Sequence, residues 1–185
     1  MKPKNGIILT TNQITSLVAR YRKSRKIIVL TQGSFDMIHI GHGRYLNKAK
    51  SCGDVLFVGV DNDEKVHRRK GPDRPVVPEN ERLEMLTYLR SVDHVVLKDA
   101  NAPKWQLIQL IQPDFLIATE LTYTPAQIKQ LKQWCKKVVV LRSQATTSTS
   151  AKLRRLQIGF VQAFSENLTQ KVHQAIGDVL AELKQ

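Results

Sequence analysis

The run Gln32-Gly33-Ser34-Phe35-Asp36-Met37-Ile38-His39-Ile40-Gly41-His42 constrains this chain more than any other stretch. Before it, Ile27-Ile28-Val29-Leu30 is apolar, β-branched and bounded by charge, the pattern of a buried strand. After it, Tyr45, Leu46 and Ala49 recur at helical spacing as far as Ser51-Cys52-Gly53, where a glycine stops the helix. Gly41 and His42 therefore lie at a helix amino end, where free N–H groups and the positive end of the dipole favour a phosphate. Gly33 lets the backbone approach a ligand closely, and Gly41 does the same while opening the helix.

His39 and His42 can both face the space above that helix end. With a triphosphate there, each imidazole is a positioned donor to oxygens that gain charge during phosphoryl-type transfer. Phosphate beside the rings favours their protonated forms. A metal reading competes, because His39, His42 and Asp36 are suitable ligand types, but nothing nearby completes the set. The dinucleotide fingerprint fails: Gly41-His42-Gly43 supplies two glycines and Leu46 stands where the third belongs. No glycine-lysine-serine phosphate loop occurs either.

Along the rest of the chain, strands and helices alternate. A helix is expected over 10–24, capped by Thr10-Thr11-Asn12, with Ile14, Leu17, Val18 and Tyr21 as its apolar stripe. Val55 to Val60 reads as a second buried strand ending at Asp61-Asn62-Asp63-Glu64. Asp61 or Asp63 suits a ribose or a magnesium ion, and either equally suits capping the next helix. The segment from Lys65 to Pro75 is too charged for a core. It reads as a solvated loop or as a mobile basic loop closing over phosphates, with Lys70 and Arg74 as contacts. Helices follow over 78–86, 103–111 and 125–134, with strands over 93–97, 113–118 and 138–141. The hydroxyl run 146–150 either caps a helix or, through Ser148 and Thr149, donates to phosphate. These spacings predict an α/β fold, a Rossmann-like parallel sheet of about five strands flanked by helices. Residues 1–156 form one domain in this reading, and 157–185 a C-terminal helical tail carrying Val161, Phe164, Leu168, Val172, Ile176, Val179 and Leu180, packed on the domain or on a second subunit as a homodimer.

Composition narrows the partners. No apolar run approaches membrane-spanning length and the start lacks the apolar core of a secretion signal, so the cytoplasm is the expected location. Cys52 and Cys135 are too few for a disulfide framework. The net charge of +13 draws nucleotides, phosphorylated sugars, anionic surfaces or nucleic acid. Nucleic-acid binding is the rival reading, but there is no zinc-finger spacing, no aromatic-rich RNA-binding run, and aromatics make up only 6% of the chain.

The run GSFDMIHIGH resembles the HxGH motif of the cytidylyltransferase-like nucleotidyltransferases. Two later runs fall in the family's order and spacing: KVHRRKGPDRPVVPENER, from Lys65 to Arg82, and TSTSAKLRRL, over 147–156. Within the family the chain is most similar to the heptose-1-phosphate adenylyltransferase domain of ADP-heptose synthesis, over residues 7–156. The resemblance implies transfer of a nucleoside monophosphate from ATP or CTP to a phosphorylated small acceptor, a sugar 1-phosphate above all, with release of pyrophosphate. CTP-dependent transfer to glycerol 3-phosphate or a phospho-amino alcohol is the alternative within the family; a nucleotide sensor without turnover is the alternative outside it. His39, His42 and Lys50 would act on the reacting phosphates. Gly33, Ser34, Phe35, Gly41, Asp61, Asp63, Arg82, Ser148 and Thr149 would hold the nucleotide, with Arg82 on its phosphates and Asp36 on a magnesium ion. One departure stands out: where related heptose enzymes carry a glycine-glycine-aspartate turn, this chain has Ala118-Thr119-Glu120-Leu121-Thr122-Tyr123. Acceptor and base are both left open by that change.

Overall fold

The computed structural model describes residues 7–120, 122–142, 144 and 149–182, which fall into two compact units, 1–146 and 147–185. The first unit runs β1 (Ile7–Leu9), α1 (Thr11–Lys23), β2 (Ile28–Gly33), α2 (Ile40–Lys50), β3 (Val55–Asp61), α3 (Asp63–Lys70), α4 (Glu79–Thr87), β4 (His94–Lys98), α5 (Gln106–Ile111), β5 (Phe115–Thr119), α6 (Pro125–Leu131) and β6 (Lys137–Leu141). All the expected strands form. Ile7–Leu9, expected only as an extended start, adds a sixth at the edge by pairing with β4 from Ile7 opposite His94 to Leu9 opposite Val96. Every pairing is parallel and the order is β1-β4-β3-β2-β5-β6.

Parallel neighbours need helical crossovers, and the alternating sequence supplies one between each pair. From β2 the chain steps outward through β3 to β4, then α5 carries it back so that β5 docks on the opposite side of β2. The strand order reverses between β2 and β5, and such a reversal opens a crevice beyond the carboxyl ends of the two strands. Here those ends are Gly33 and Thr119.

Side-chain alternation sends each strand to both faces. Ile28, Leu30, Val55 and Phe57 pack with Ile14, Val18, Leu107, Ile108, Ile111 and Leu131 from α1, α5 and α6. Val29, Leu56, Val58, Val60 and Val95 pack with Leu46, Ala49, Leu83 and Leu86 from α2 and α4. All seven residues of β3 are buried, which explains its unbroken apolar sequence. At the amino edge of the sheet, carboxylates hold the strand starts: Asp54 accepts from Ile27 N, Asp114 from Ile28 N and Asp93 from Leu56 N.

The second unit contains one helix of 34 residues, α7 (Thr149–Glu182). The expected boundary at 156/157 falls inside it. Among the described residues no helix is long and apolar enough to cross a membrane.

His94, the first residue of β4, is the buried titratable group that makes this fold sensitive to acid. It is 4% exposed, its ring lies 4.8 Å from the Phe57 ring, and its Nε2 shares a 2.8 Å hydrogen bond with Tyr21 Oη. Burial pushes its pKa down to about 4. An unfolded chain protonates this imidazole below about pH 6.5 while the folded chain keeps it neutral, so the unfolded state binds more protons and stability falls with pH across that window. The urea midpoint is therefore expected to drop between pH 7 and pH 4.5, and His94→Gln should flatten that dependence whatever it does to stability at neutral pH.

Candidate active site

His39 occupies the N-cap position of α2 in extended backbone, with φ −138° and ψ 175°. Its Nδ1 accepts from Gly41 N at 3.1 Å, and His42 Nδ1 accepts from His39 N at 3.3 Å. Two imidazoles thus serve as a capping box, where a hydroxyl or carboxylate is the usual choice. A ring that accepts at Nδ1 is neutral and keeps its proton on Nε2. This geometry makes both rings Nε2–H donors. The rings lie together, with centroids 4.2 Å apart, and the Phe35 ring sits 5.7 Å from that of His42.

The loop leading to them is held in an unusual path. Phe35 and Met37 adopt φ of 48° and 47°, the left-handed region in which bulky residues are disfavoured by about 1 kcal/mol or more each. Packing and polar contacts on either side offset this. A side chain at Gly33 would stand 3.2 Å from the Phe35 ring, so the room left by this glycine is filled partly by Phe35 rather than by ligand alone. Asp36, 2% exposed, accepts from Val76 N and Val77 N and pairs with Arg74 through Nε at 2.8 Å and Nη2 at 2.6 Å. Burial alone would raise the Asp36 carboxyl, but the two N–H donors and Arg74 outweigh it and hold it below the usual carboxylate range.

Arg82 binds three segments together. Its guanidinium, fully buried, donates to Ser34 O, to Val77 O at 2.9 Å, to Asp61 O at 2.9 Å and to Asp63 Oδ1 at 2.7 Å. Asp63 also exchanges hydrogen bonds with Glu79 across the start of α4, while Asn62, not either aspartate, caps α3 by accepting from Lys65 N.

A cavity of about 320 Å³ opens beyond the carboxyl ends of β2, β3 and β4. Gln32 and Gly33 line it from β2, Asp61 from β3, Lys98 from β4, Lys65 and Arg69 from α3, and Trp105 and Tyr123 from the loops. Asp61 is 1% exposed and lies 2.8 Å from Lys98 Nζ and 3.0 Å from Arg69 Nη2. Burial would raise its carboxyl, but the charges of Lys98, Arg69 and Lys65 win and lower it. Lys65, Arg69, Lys98 and Lys104 face only Asp61 and Asp99, so the lining carries a surplus of two positive charges. Beside it, Lys70 Nζ donates to Ser34 Oγ at 2.9 Å. Burial, then the neighbouring charges of Arg69 and Arg74, hold the Lys70 amine below the usual lysine range.

Several expected roles change. Lys50 lies at the carboxyl end of α2, ten residues from its start and so ~15 Å from the histidines. It donates there to Asp93 Oδ2 and Asp54 O at the amino edge of the sheet. Arg82 donates to Asp63 and to backbone, and Asp36 accepts from Arg74 and two backbone N–H groups, so both expected ligand contacts, Arg82 to phosphate and Asp36 to an ion, start from groups that already hold the loop together. Among the described residues no three His, Cys, Asp or Glu side chains gather to hold a metal ion. Ser148 lies outside the described residues, and Thr149 is the first residue of α7. Lys65, Arg69 and Lys98 were not singled out from the sequence. The i,i+4 spacing of Lys65 and Arg69 places them on one helix face and was legible; Lys98 reaches the site through its register opposite Asp61, which no local pattern encodes.

The pattern for the cytidylyltransferase-like family matches residues 30–173, taking in both histidines and the basic run. The chain belongs to this family, a nucleotidyltransferase class. More particularly, it is 40% identical over 149 residues to the bifunctional protein HldE of Methylobacillus flagellatus, covering 77% of this chain and 30% of that one. With HldE of Sulfurimonas denitrificans it shares 46% over 105 residues, covering 57% and 22%. The chain thus spans well under half the length of these relatives. Among solved structures, a lipopolysaccharide core biosynthesis protein from Thermoplasma volcanium superposes with a TM-score of 0.55 at 26% identity, covering 64% of this chain and 96% of that one. A pantoate-beta-alanine ligase from Francisella tularensis, at 20% identity and a TM-score of 0.58 over 76% of this chain and 68% of its own, shares the fold.

If Arg82 is the strut that these contacts describe, Arg82→Ala should cost ~3–5 kcal/mol in a urea titration, the scale for breaking a buried ion pair by removing one partner. A loss of under about 1 kcal/mol would show that the frame stands without it.

Proposed function

We propose that this chain transfers a nucleoside monophosphate, AMP in preference to CMP, from the triphosphate to a phosphorylated sugar, with heptose 1-phosphate the favoured acceptor. The observation that carries this reading is the pair of Nε2–H donors fixed at the mouth of α2, and a cation-rich cavity lined by Gly33, the last residue of the strand that leads into the histidine loop, supports it. An oxygen of the acceptor phosphate attacks the α-phosphorus in line. The bond from that phosphorus to the bridging oxygen breaks, and pyrophosphate leaves with the electron pair. No protein nucleophile is required, so catalysis is orientation plus stabilisation of charge on the crowded phosphate.

In this reading His39 and His42 donate to the α-phosphate oxygens, and the N–H groups of the first turn of α2 add their dipoles. Lys70, a flexible cation held at Ser34 until ligand arrives, moves to the phosphates. The acceptor phosphate enters the cavity toward Lys98, Lys65 and Arg69, with its sugar against Trp105 and Tyr123. Ser148 and Thr149 are kept as contacts to the outgoing phosphates. Magnesium comes with the triphosphate, because Asp36 is already committed to Arg74 and two backbone N–H groups. A reaction that draws on nucleoside triphosphates places the protein in the cytoplasm, and we assign it as a homodimer.

The loop after β5 bears on specificity. Thr122 Oγ1 accepts from Thr119 N at 3.0 Å and lies 2.8 Å from Thr119 Oγ1, so two threonines close the turn where relatives use glycines. Tyr123 then reaches back to accept from Gln32 Nε2 at 3.2 Å, at the crevice between β2 and β5. CTP-dependent transfer to glycerol 3-phosphate or a phospho-amino alcohol is the alternative that this loop keeps in view.

Pyrophosphate release should be measured with ATP and CTP against sugar phosphates, glycerol 3-phosphate and phospho-amino alcohols. Turnover with ATP and a heptose 1-phosphate is expected, and His42→Ala should lower it by ~100-fold or more, the scale for losing one such donor. Nucleotide binding without pyrophosphate release from any pair would mark a sensor instead. Lys50→Gln should stay within about threefold of the parent, because its contacts lie at the opposite edge of the sheet.

A further inference from the structure

Lys98 occupies a place that rarely holds a lysine. It ends β4 opposite Asp61, and its side chain is only 18% exposed. Gly59 makes room for it. This residue lies two before Asp61 on the same face of β3, and a side chain there would stand 2.8 Å from Lys98 Cδ. The lysine stem thus runs across a bare stretch of strand to bring its ammonium 2.8 Å from Asp61 Oδ1. Arg69, reaching in from α3, meets the other oxygen, Oδ2, at 3.0 Å.

A buried ion pair is a weak source of stability, because desolvation cancels much of the attraction. This group also holds more cations than it needs. Asp61 carries one negative charge against Lys98, Arg69 and Lys65, all three of which lower its carboxyl, so the four residues together are left with two positive charges. Donor capacity is spare as well. An ammonium has three N–H donors, and among the described residues Asp61 is the one hydrogen-bond or ion-pair partner of Lys98 Nζ, as it is of Arg69 Nη2. Unused donors and unbalanced charge on the wall of an open cavity suit an anionic ligand.

The size of the imbalance indicates which anion. A phosphate monoester carries close to two negative charges above its second pKa of about 6 and one below it, whereas a diester carries one throughout. Nucleotidyl transfer changes this quantity. An oxygen of the acceptor phosphate bonds to the α-phosphorus, and pyrophosphate leaves with the electrons of the broken bond. The acceptor's phosphate thereby passes from a monoester dianion to one end of a bridged diphosphate with a single charge. We propose, resting on that transfer, that Asp61 positions Lys98 and Arg69 as a clamp for the dianion of the acceptor's phosphate, which grips the monoester and slackens once it has become a diester. Asp61 acts through the two cations and not on the substrate itself. One unit of charge then separates the molecule to be held from the molecule to be released.

The clamp can be read without nucleotide or turnover. Methyl phosphate and dimethyl phosphate, titrated into the full chain and followed by phosphorus NMR, present the same group as monoester and as diester. At about pH 8 the monoester should bind ~10-fold or more tightly than the diester, the scale of one charge-assisted hydrogen bond. At about pH 5 the monoester has gained a proton and that preference should vanish. Lys98→Met, which keeps the buried volume and leaves Asp61 paired with Arg69, should bring the two esters to similar affinity at the higher pH. Asp61→Asn separates a clamp from a mere excess of charge. If only the excess mattered, removing a negative charge would tighten monoester binding. In a clamp it weakens binding, because burial then lowers the Lys98 amine unopposed and Arg69, about half exposed, is free to swing outward. Should Asp61→Asn fail to fold, Arg69→Gln carries the comparison from the surface side: weaker monoester binding with the thermal midpoint unchanged. In turnover, Lys98→Met should raise the KM for the acceptor and leave that for the triphosphate within about threefold of the parent. Equal affinity for the two esters at the higher pH, a preference that survives Lys98→Met, or tighter monoester binding in Asp61→Asn would each overturn the proposal. Selective monoester binding with no pyrophosphate release from any substrate pair would instead sink the transfer reading and leave the anion clamp standing.

Discussion

The carboxyl edge of this sheet is organised by one buried cation. Arg82 reaches from the first turns of α4 to the carbonyls of Ser34, Asp61 and Val77, which belong to the histidine loop, the end of β3 and the segment before α4. An unpaired buried C=O is costly. One planar, multi-pronged donor satisfies all three, and Asp63 balances its charge. A lysine could not span this set, because an ammonium is a point donor without a rigid fork. The loop conformation with left-handed Phe35 and Met37, the placement of the histidines and the mouth of the cavity all follow from that frame.

Electrostatic work is divided between two groups of residues. The imidazoles cap the helix through Nδ1, which assigns ring donation to Nε2. Positive charge is supplied instead by Lys70, Lys98, Lys65 and Arg69, set around a buried carboxylate. Asp61 keeps Lys98 and Arg69 converged where mutual repulsion would splay them.

The local pattern carried most of the architecture. Apolar strands of four to seven residues, each followed by a helical period, leave little besides a parallel sheet, and the β2-to-α2 junction placed His39 and His42 correctly at a helix start. The short strand Ile7–Leu9 was illegible because three residues carry no period and it exists only through pairing with β4. The polar side chains misled for a related reason. Asp36, Arg74, Asp63 and Arg82 have the residue types of a phosphate and metal site, but most of their partners lie between 16 and 48 positions away in sequence, and only the fold reveals the contacts among them. Lys50 shows the same limit from the other side: a helix of eleven residues separates its two ends by more than the width of a nucleotide's phosphates.

Because His39 and His42 are the cap of α2, they are oriented before any substrate is present. Side chains that must be immobilised on association lose rotamer freedom, which subtracts from affinity. Here folding has already frozen both rings, and the helix they terminate is anchored by Leu46 and Ala49 in the core. In the proposed reaction, recognition of the phosphate would resemble closing a mould on a casting: the receptor's shape is set in advance, and whatever flexibility the encounter requires is left to the long cationic chains around the rim.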